Sequence, residues 1–334
     1  MRVITNFPRI YFDDPIQNFE LNKFSIKKSN LNVYIGEGCK SLLVNKKKFN
    51  IYLDFEEPNS YWWVSSRFIF FLRGNYKIFD KIFDKIFNLY PINYPRNFES
   101  KFDKILTICP YTADYINKNV VKKKREFIFF PFNSNFIFKE KKYIDVIYTG
   151  TIYGNFLENI SKIISNYAYR IVSFSNNKYV TDKSISYKKK IKLIASSKIS
   201  LIHNLLFLND VQLKHIKKYK DLKNNKALKF INKRIVPQQK SRMFEAAFSK
   251  TLMLVKKDPW NIIEYFFTPN KDFLYFEKEK DLPKLINRIL KNYDLYKPMV
   301  NSAFKKAKKN YTVKAFYKKY LLKYELKNNC NYDD

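Results

Sequence analysis

The chain has 334 residues, 46% of them hydrophobic, and carries 64 Lys and Arg against 30 Asp and Glu, a formal charge of +34. That much apolar material excludes wholesale disorder and suffices for about two domains. Three widely spaced cysteines and only two histidines exclude a disulfide framework and a Cys/His zinc site as organising principles.

Only 10 of the cations are Arg, and Lys, Asn, Ile, Phe and Tyr, all abundant here, share A/T-rich codons, so part of the charge reads as genome composition. The excess still creates a positive field that attracts phosphates, nucleic acid or anionic lipid. Residues 1–13 lack the apolar core and cleavage site of a signal peptide. The longest apolar runs, such as residues 68–72, are far too short to span a bilayer. The expectation is a cytoplasmic protein in a reducing compartment, able to lie on an anionic membrane face through its lysines.

Largely apolar strand-like runs alternate with helical stretches. In chain order the strands are residues 31–35, 50–55, 104–109, 126–130, 144–149, 169–174, 198–202 and 251–255. Runs that end in Gly, Pro or acidic residues and alternate with helices predict parallel sheets and an α/β class. Residues 77–87 (KIFDKIFDKIF) put Ile78, Ile82 and Ile86 along one side of an amphipathic helix. A boundary falls in the Pro-, Asn- and charge-rich stretch 131–142, dividing the chain into residues 1–140, 141–310 and a C-terminal helix and tail, 311–334. Residues 209–233, rich in Lys and Asn, read as an exposed helical insertion.

The most informative region is residues 239–264, QKSRMFEAAFSKTLMLVKKDPWNIIE. Ser241 is placed to cap a helix, and Lys240 and Arg242 flank its start, an arrangement suited to a diphosphate. Glu245, one turn on, can accept hydrogen bonds from a ribose diol. Gly36-Glu37-Gly38 ends one strand, and Asp54, Glu56 and Glu57 end another; both groups suit acceptor hydroxyls, with Glu37 as a candidate base. His203-Asn204 follows strand 198–202 and reads either as a donor-cleft pair or as a satisfied structural histidine. Trp62-Trp63 could stack on a sugar.

The order Ser241-Arg242-Met243-Phe244-Glu245-Ala246, a short apolar strand, Glu264 to Pro269, the strand at 273–276, Asp281-Leu282 and Tyr311-Thr312 resembles the C-terminal half of group 1 glycosyltransferases, especially the branch typified by the spore-maturation protein CgeB. The likeness extends back to the DVIYTG segment ending in Gly150. The resemblance implies a GT-B fold, two Rossmann-like domains with parallel sheets facing a cleft. The N-terminal domain would take the acceptor and the C-terminal one the nucleotide sugar. It further implies a metal-independent transferase, with no cofactor beyond its nucleotide-sugar donor. The acceptor would be a saccharide or lipid-linked glycan in cell-surface polysaccharide synthesis.

By the same resemblance Gly150, Arg242 and Glu245 belong to the donor site, to which Thr151, Tyr153, His203, Asn204, Lys240 and Ser241 are assigned with them; Glu245 and Glu37 are assigned to the chemistry, and Gly36, Glu37 and Glu56, from their places at strand ends, to the acceptor side. Two departures stand out: Ser249-Lys250 replace the glycine after the FEA helix, and Pro237 occupies the position of a second glutamate. Two other classes are a basic nucleic-acid-binding protein and a non-catalytic relative. Against the first, the cations are spread along the chain, are mostly Lys, and accompany no recognisable nucleic-acid module.

Overall fold

Ten of the twelve strands form two parallel five-stranded sheets in the computed structural model, which describes residues 1–5, 19–25, 29–36, 39, 44–55, 101–119, 125–152, 154–208, 210, 213 and 226–329. The first sheet has the order β1-β2-β3-β4-β5: β1 (Arg2–Thr5), β2 (Leu31–Ile35), β3 (Phe49–Asp54), β4 (Lys104–Thr107) and β5 (Arg125–Phe127). Its register aligns Val33 with Ile51 and Tyr52 with Ile105. β2 is buried along its whole length, as a parallel strand covered on both faces must be. Helix α1 (Pro110–Asn119) follows β4 and opens on a proline, which has no N–H to leave unpaired there.

The second sheet is built from β6 (Ile144–Thr149), β7 (Tyr169–Val172), β8 (Ser197–Ile202), β11 (Leu252–Lys256) and β12 (Leu274–Phe276) in the order β12-β11-β8-β6-β7. Val146 lies opposite Ile199, and Leu254 opposite Leu201. Helices α2 (Gly154–Ile164) and α3 (Tyr187–Ala195) connect the first three strands. Ser186 caps α3 by accepting the Lys189 N–H at 3.2 Å. The chain runs from β6 outward to β7, then returns to lay β8 on the other side of β6. That reversal opens a crevice at the carboxyl ends of β6 and β8, where α/β sheets bind ligands.

Between β8 and β11 lie the antiparallel pair β9 (Leu205–Phe207) and β10 (Ile235–Pro237) and the short helix α4 (Arg242–Phe248). Helices α5 (Leu282–Lys291), α6 (Lys297–Asn310) and α7 (Val313–Phe316) follow, then a π-helical stretch, Tyr317–Leu321, and α8 (Leu322–Asn329). Thr312 caps α7 by accepting the Ala315 N–H at 3.1 Å.

One hydrophobic cluster packs Val146, Leu201 and Leu254 of the second sheet against Leu157 and Ile160 of α2 and Ile286 and Ile289 of α5. A larger cluster joins both sheets, uniting Leu31, Ile51 and Leu106 with Ile147, Met243 and Met253. Aromatic rings form the bridge. Phe132 stacks on Phe248 at 4.3 Å between centroids, and Phe129 meets both Phe316 and Tyr320 at 5.5 Å. The C-terminal helices therefore turn back onto the first sheet. Tyr324 stacks on Phe49, Lys323 pairs with Glu126 at 3.0 Å, and the Met1 amino group donates to Glu325 at 3.1 Å.

Most predicted strands recur within two residues of the expected bounds; the run at 126–130 is paired only over Arg125–Phe127. Two readings need correction. Ser241 does not cap α4: it is itself in the helical conformation and makes no side-chain capping bond. The described end of the 209–233 segment is not an exposed helix but two short 3-10 turns, Lys226–Leu228 and Ile231–Lys233, with Ala227 and Leu228 buried. The helix expected at 77–87, the Trp62-Trp63 pair and the rest of that Lys-rich segment lie outside the described residues.

Candidate active site

The crevice at the end of β6 holds a cleft of about 250 Å³, lined among others by Gly150, Thr151, Ser173, Ser241, Arg242 and Glu245. Five of the residues expected from sequence to bind the donor thus share one space, although they come from the β6 end and from α4, about ninety residues later. Gly150 has φ +130°, and a Cβ there would stand 2.1 Å from Arg242 Nη2. The missing side chain is therefore what lets the guanidinium lie against the loop. Tyr148, two residues earlier, supports Arg242 from the sheet side, with its ring centroid 5.1 Å from Cζ.

Arg242 Nη1 is buried and has no hydrogen-bond partner among the described residues. Glu245 is 1% exposed; its Oε1 accepts from Lys190 Nζ of α3 at 3.0 Å, while Oε2 is buried and unpartnered among the described residues. Lys190 also lies 4.6 Å from the Tyr187 ring centroid. A half-buried cation and a buried carboxylate, each with one buried atom left unpaired among the described residues, are poised to meet a ligand that carries both anionic oxygens and hydroxyl groups. Because α4 has only seven residues and lacks its cap, anion binding falls to the Arg242 side chain and not to the helix end.

His203 does not line the cleft. It is buried behind Arg242, and burial, reinforced by Arg242 and Lys240, holds its pKa well below the usual histidine value. The ring is neutral, and its partners assign the tautomer. The Leu205 N–H donates to Nδ1 at 3.4 Å, so Nε2 carries the proton and faces the Tyr148 hydroxyl at 3.1 Å. That hydroxyl in turn donates to the Thr151 carbonyl at 3.2 Å. The histidine thus fixes Tyr148, the ring beneath Arg242. Asn204, next in the chain, is fully buried.

Lys240 also lies off the cleft wall; its ammonium donates to Gln238 Oε1. Gly36 makes the expected turn after β2, at φ +97°. Tyr153, Glu37 and Glu56 lie outside the described residues, so the acceptor-side and base assignments rest on sequence alone. Asp54 is buried at the end of β3.

Sequence reasoning missed Lys190, Tyr148 and Asp258. The last follows β11: its Oδ1 accepts from the Trp260 N–H at 2.9 Å, and burial pushes its carboxyl up to about 6. The Asp-Pro after a buried strand was the one available signal for it. Among the described residues no cluster of three His, Cys, Asp or Glu stands ready to hold a metal ion, and no helix is long and apolar enough to cross a membrane.

The family model described as glycosyl transferase-like matches residues 138–321, more than half of the chain. The chain belongs to the glycosyl transferase-like family. Its match begins just before β6 and takes in Gly150, Arg242 and Glu245. The crystal structure of TarM is similar, with a TM-score of 0.51 at 12% identity, covering 92% of this chain and 57% of that one. A mutant of S. aureus TarM in complex with fondaparinux, alpha-GlcNAc-glycerol and UDP gives a TM-score of 0.50 at 12% identity, covering 92% and 58%. The fold of this family member is accordingly GT-B. The chain spans under three-fifths of the length of these two structures. No curated protein sequence matches it.

Proposed function

We propose that this glycosyl transferase-like chain moves a sugar from a nucleoside-diphosphate donor to a saccharide or lipid-linked glycan acceptor, without a metal ion. The observation that carries this reading is the pairing, in one crevice, of Arg242 and Glu245, each with a buried polar atom that has no partner among the described residues. Arg242, closing on the Gly150 loop, meets the diphosphate and stabilises the charge that grows on it as the glycosidic bond breaks. Glu245, held by Lys190, accepts hydrogen bonds from the ribose diol. The family supports this, as does the UDP in the TarM complex.

The acceptor approaches from the first sheet, across the junction where the Tyr111 hydroxyl of α1 donates to the Trp260 carbonyl at 3.3 Å. The enzyme works in the cytoplasm, and its lysine excess holds it against an anionic membrane that carries the acceptor, in cell-surface polysaccharide synthesis. Co-sedimentation with anionic but not neutral vesicles checks that location.

A thermal-shift titration with UDP, GDP, CMP, ADP and a short single-stranded DNA, at moderate and high salt, tests the proposal. A salt-tolerant rise with one nucleoside diphosphate is expected, because a ligand of the native state stabilises by mass action. A rise with DNA alone, erased by salt, refutes it. Arg242→Ala is expected to weaken the diphosphate more than the bare nucleoside; equal losses remove Arg242 from the diphosphate site.

A further inference from the structure

Two carboxamides stand beside the site with nothing to hold. Asn204, 0% exposed, follows β8 at the topological reversal; Gln239, 2% exposed, lies three residues before Arg242. Among the described residues neither the amide nitrogen nor the carbonyl oxygen of either side chain has a partner, so four buried polar atoms are unsatisfied there. The main chains hold the two segments together, since the Gln238 N–H donates to the Asn204 carbonyl at 2.9 Å. A desolvated amide without a partner is strongly unfavourable, and two of them on hydrogen-bonded segments call for a polar guest.

The chemistry of that guest follows from the groups. Each carboxamide offers two donors and one acceptor with no net charge, the complement of hydroxyl groups that both give and accept hydrogen bonds. His203 and Leu205, the chain neighbours of Asn204, are uncharged, while Lys240 and Arg242 are the cations closest by. A carboxylate eight residues before Glu245 would do similar work, but Pro237 stands there.

Position says which part of a donor would fall here. A nucleoside-diphosphate sugar is linear, with nucleoside and sugar at opposite ends of the diphosphate. Arg242 marks the diphosphate. Glu245, one turn along α4, and Lys190, which reaches it from α3, mark the ribose end. Asn204 and Gln239 lie before Arg242, in the other direction. Leu205, adjacent to Asn204, packs with Trp260 and Tyr111, the junction with the first sheet from which an acceptor would come. We infer that Asn204 and Gln239 bind the hydroxyl groups of the transferred sugar. This rests on the donor reading above.

The test measures the affinity of the wild type and of Asn204→Leu and Gln239→Met for UDP, UDP-glucose, UDP-galactose, UDP-N-acetylglucosamine, GDP and GDP-mannose, by calorimetry, with a melting temperature for each protein. The two substitutions keep approximate shape and remove the polar atoms. Affinity for the bare nucleotide is expected to hold within about twofold, while the gain from the attached sugar falls by about tenfold per substitution. The melting temperature is expected to hold or rise, since unsatisfied amides are removed. An unchanged ratio of nucleotide-sugar to nucleotide affinity overturns the assignment. So does a lowered melting temperature with that ratio intact, the mark of structural water as the only guest. A wild type that binds none of the nucleotides defeats the donor reading itself, a different failure.

Discussion

Replacing Gly150 by alanine separates the role of the guanidinium from the general stability of the loop. The new Cβ would lie 2.1 Å from Arg242 Nη2 and 2.8 Å from Cζ. To regain van der Waals contact the guanidinium must retreat by about 1.3 Å, and the Tyr148 ring limits where it can go. A displacement of that order loses a charge-assisted hydrogen bond to the diphosphate, roughly 1.5–3 kcal/mol, or about 10- to 150-fold in Kd. The φ of +130° adds backbone strain of about 1–3 kcal/mol in the folded state. Gly154→Ala is the control. It too has a positive φ, +76°, but its Cβ would meet nothing within 4 Å; about 1–2 kcal/mol of stability is expected to go, with affinity retained. Urea unfolding measures the stability of both variants, and calorimetry measures their affinity for the best-binding nucleoside diphosphate. Equal affinity in the two variants refutes the argument that Gly150 is needed for Arg242.

Glu245→Gln is expected to lower transfer by at least about 10²-fold and to destabilise the fold by leaving Lys190 without its carboxylate. Adding Lys190→Met recovers the stability and not the turnover, read by urea unfolding and a transfer assay; recovered turnover removes Glu245 from the chemistry. Asp258, 2% exposed, has its carboxyl pushed up to about 6 by burial, so the folded state keeps a proton that the unfolded chain releases. Its share of stability falls as pH rises from about 4 to about 6 and is flat above. Asp258→Asn keeps the hydrogen bonds to Trp260 and Ile262 and is expected to be more stable than wild type at pH 7.5 by about 2–3 kcal/mol, with no gain at pH 4. Lys142 donates to the Ser197 carbonyl at 2.7 Å and to Thr251 Oγ1 at 3.0 Å, yet burial pushes its ammonium down to about 7. The unfolded chain therefore binds the extra proton above that pH, and stability rises from pH 7 towards 9. Lys142→Met is expected to flatten that rise in paired denaturation curves; an unchanged slope refutes the assignment.

What could be read without coordinates was what local chemistry decides. The runs around Ile51, Ile147 and Leu254 announced buried parallel strands because both their faces are apolar. Gly150, Arg242 and Glu245 were legible because a glycine after a strand and a cation–carboxylate pair on one short helix keep their meaning at short range. Lys190 and Tyr148 were not, because their roles exist only after β8 returns beside β6 and brings α3 against α4. The Ser241 cap failed for a local reason: the preceding backbone already enters the helical conformation, leaving no cap geometry. β9 and β10, three residues each, carry too little pattern to be seen, and the Lys content of the segment between them masked the buried Ala227 and Leu228.

The packing of the C-terminal helices on the first sheet bears on how the chain is made. The strands up to Phe127 leave the ribosome long before Phe316, Tyr320 and Leu321, members of the same hydrophobic cluster as Leu31, Ile51 and Leu106. At ordinary rates of synthesis the delay is roughly 10–40 s. Throughout that interval the earliest sheet stands with part of its apolar surface uncovered, and the second sheet closes its α2–α5 core first, once Lys291 has been made. Biogenesis thus runs against chain order: the half made first is finished last, and recovery of intact protein depends on what shields that sheet meanwhile.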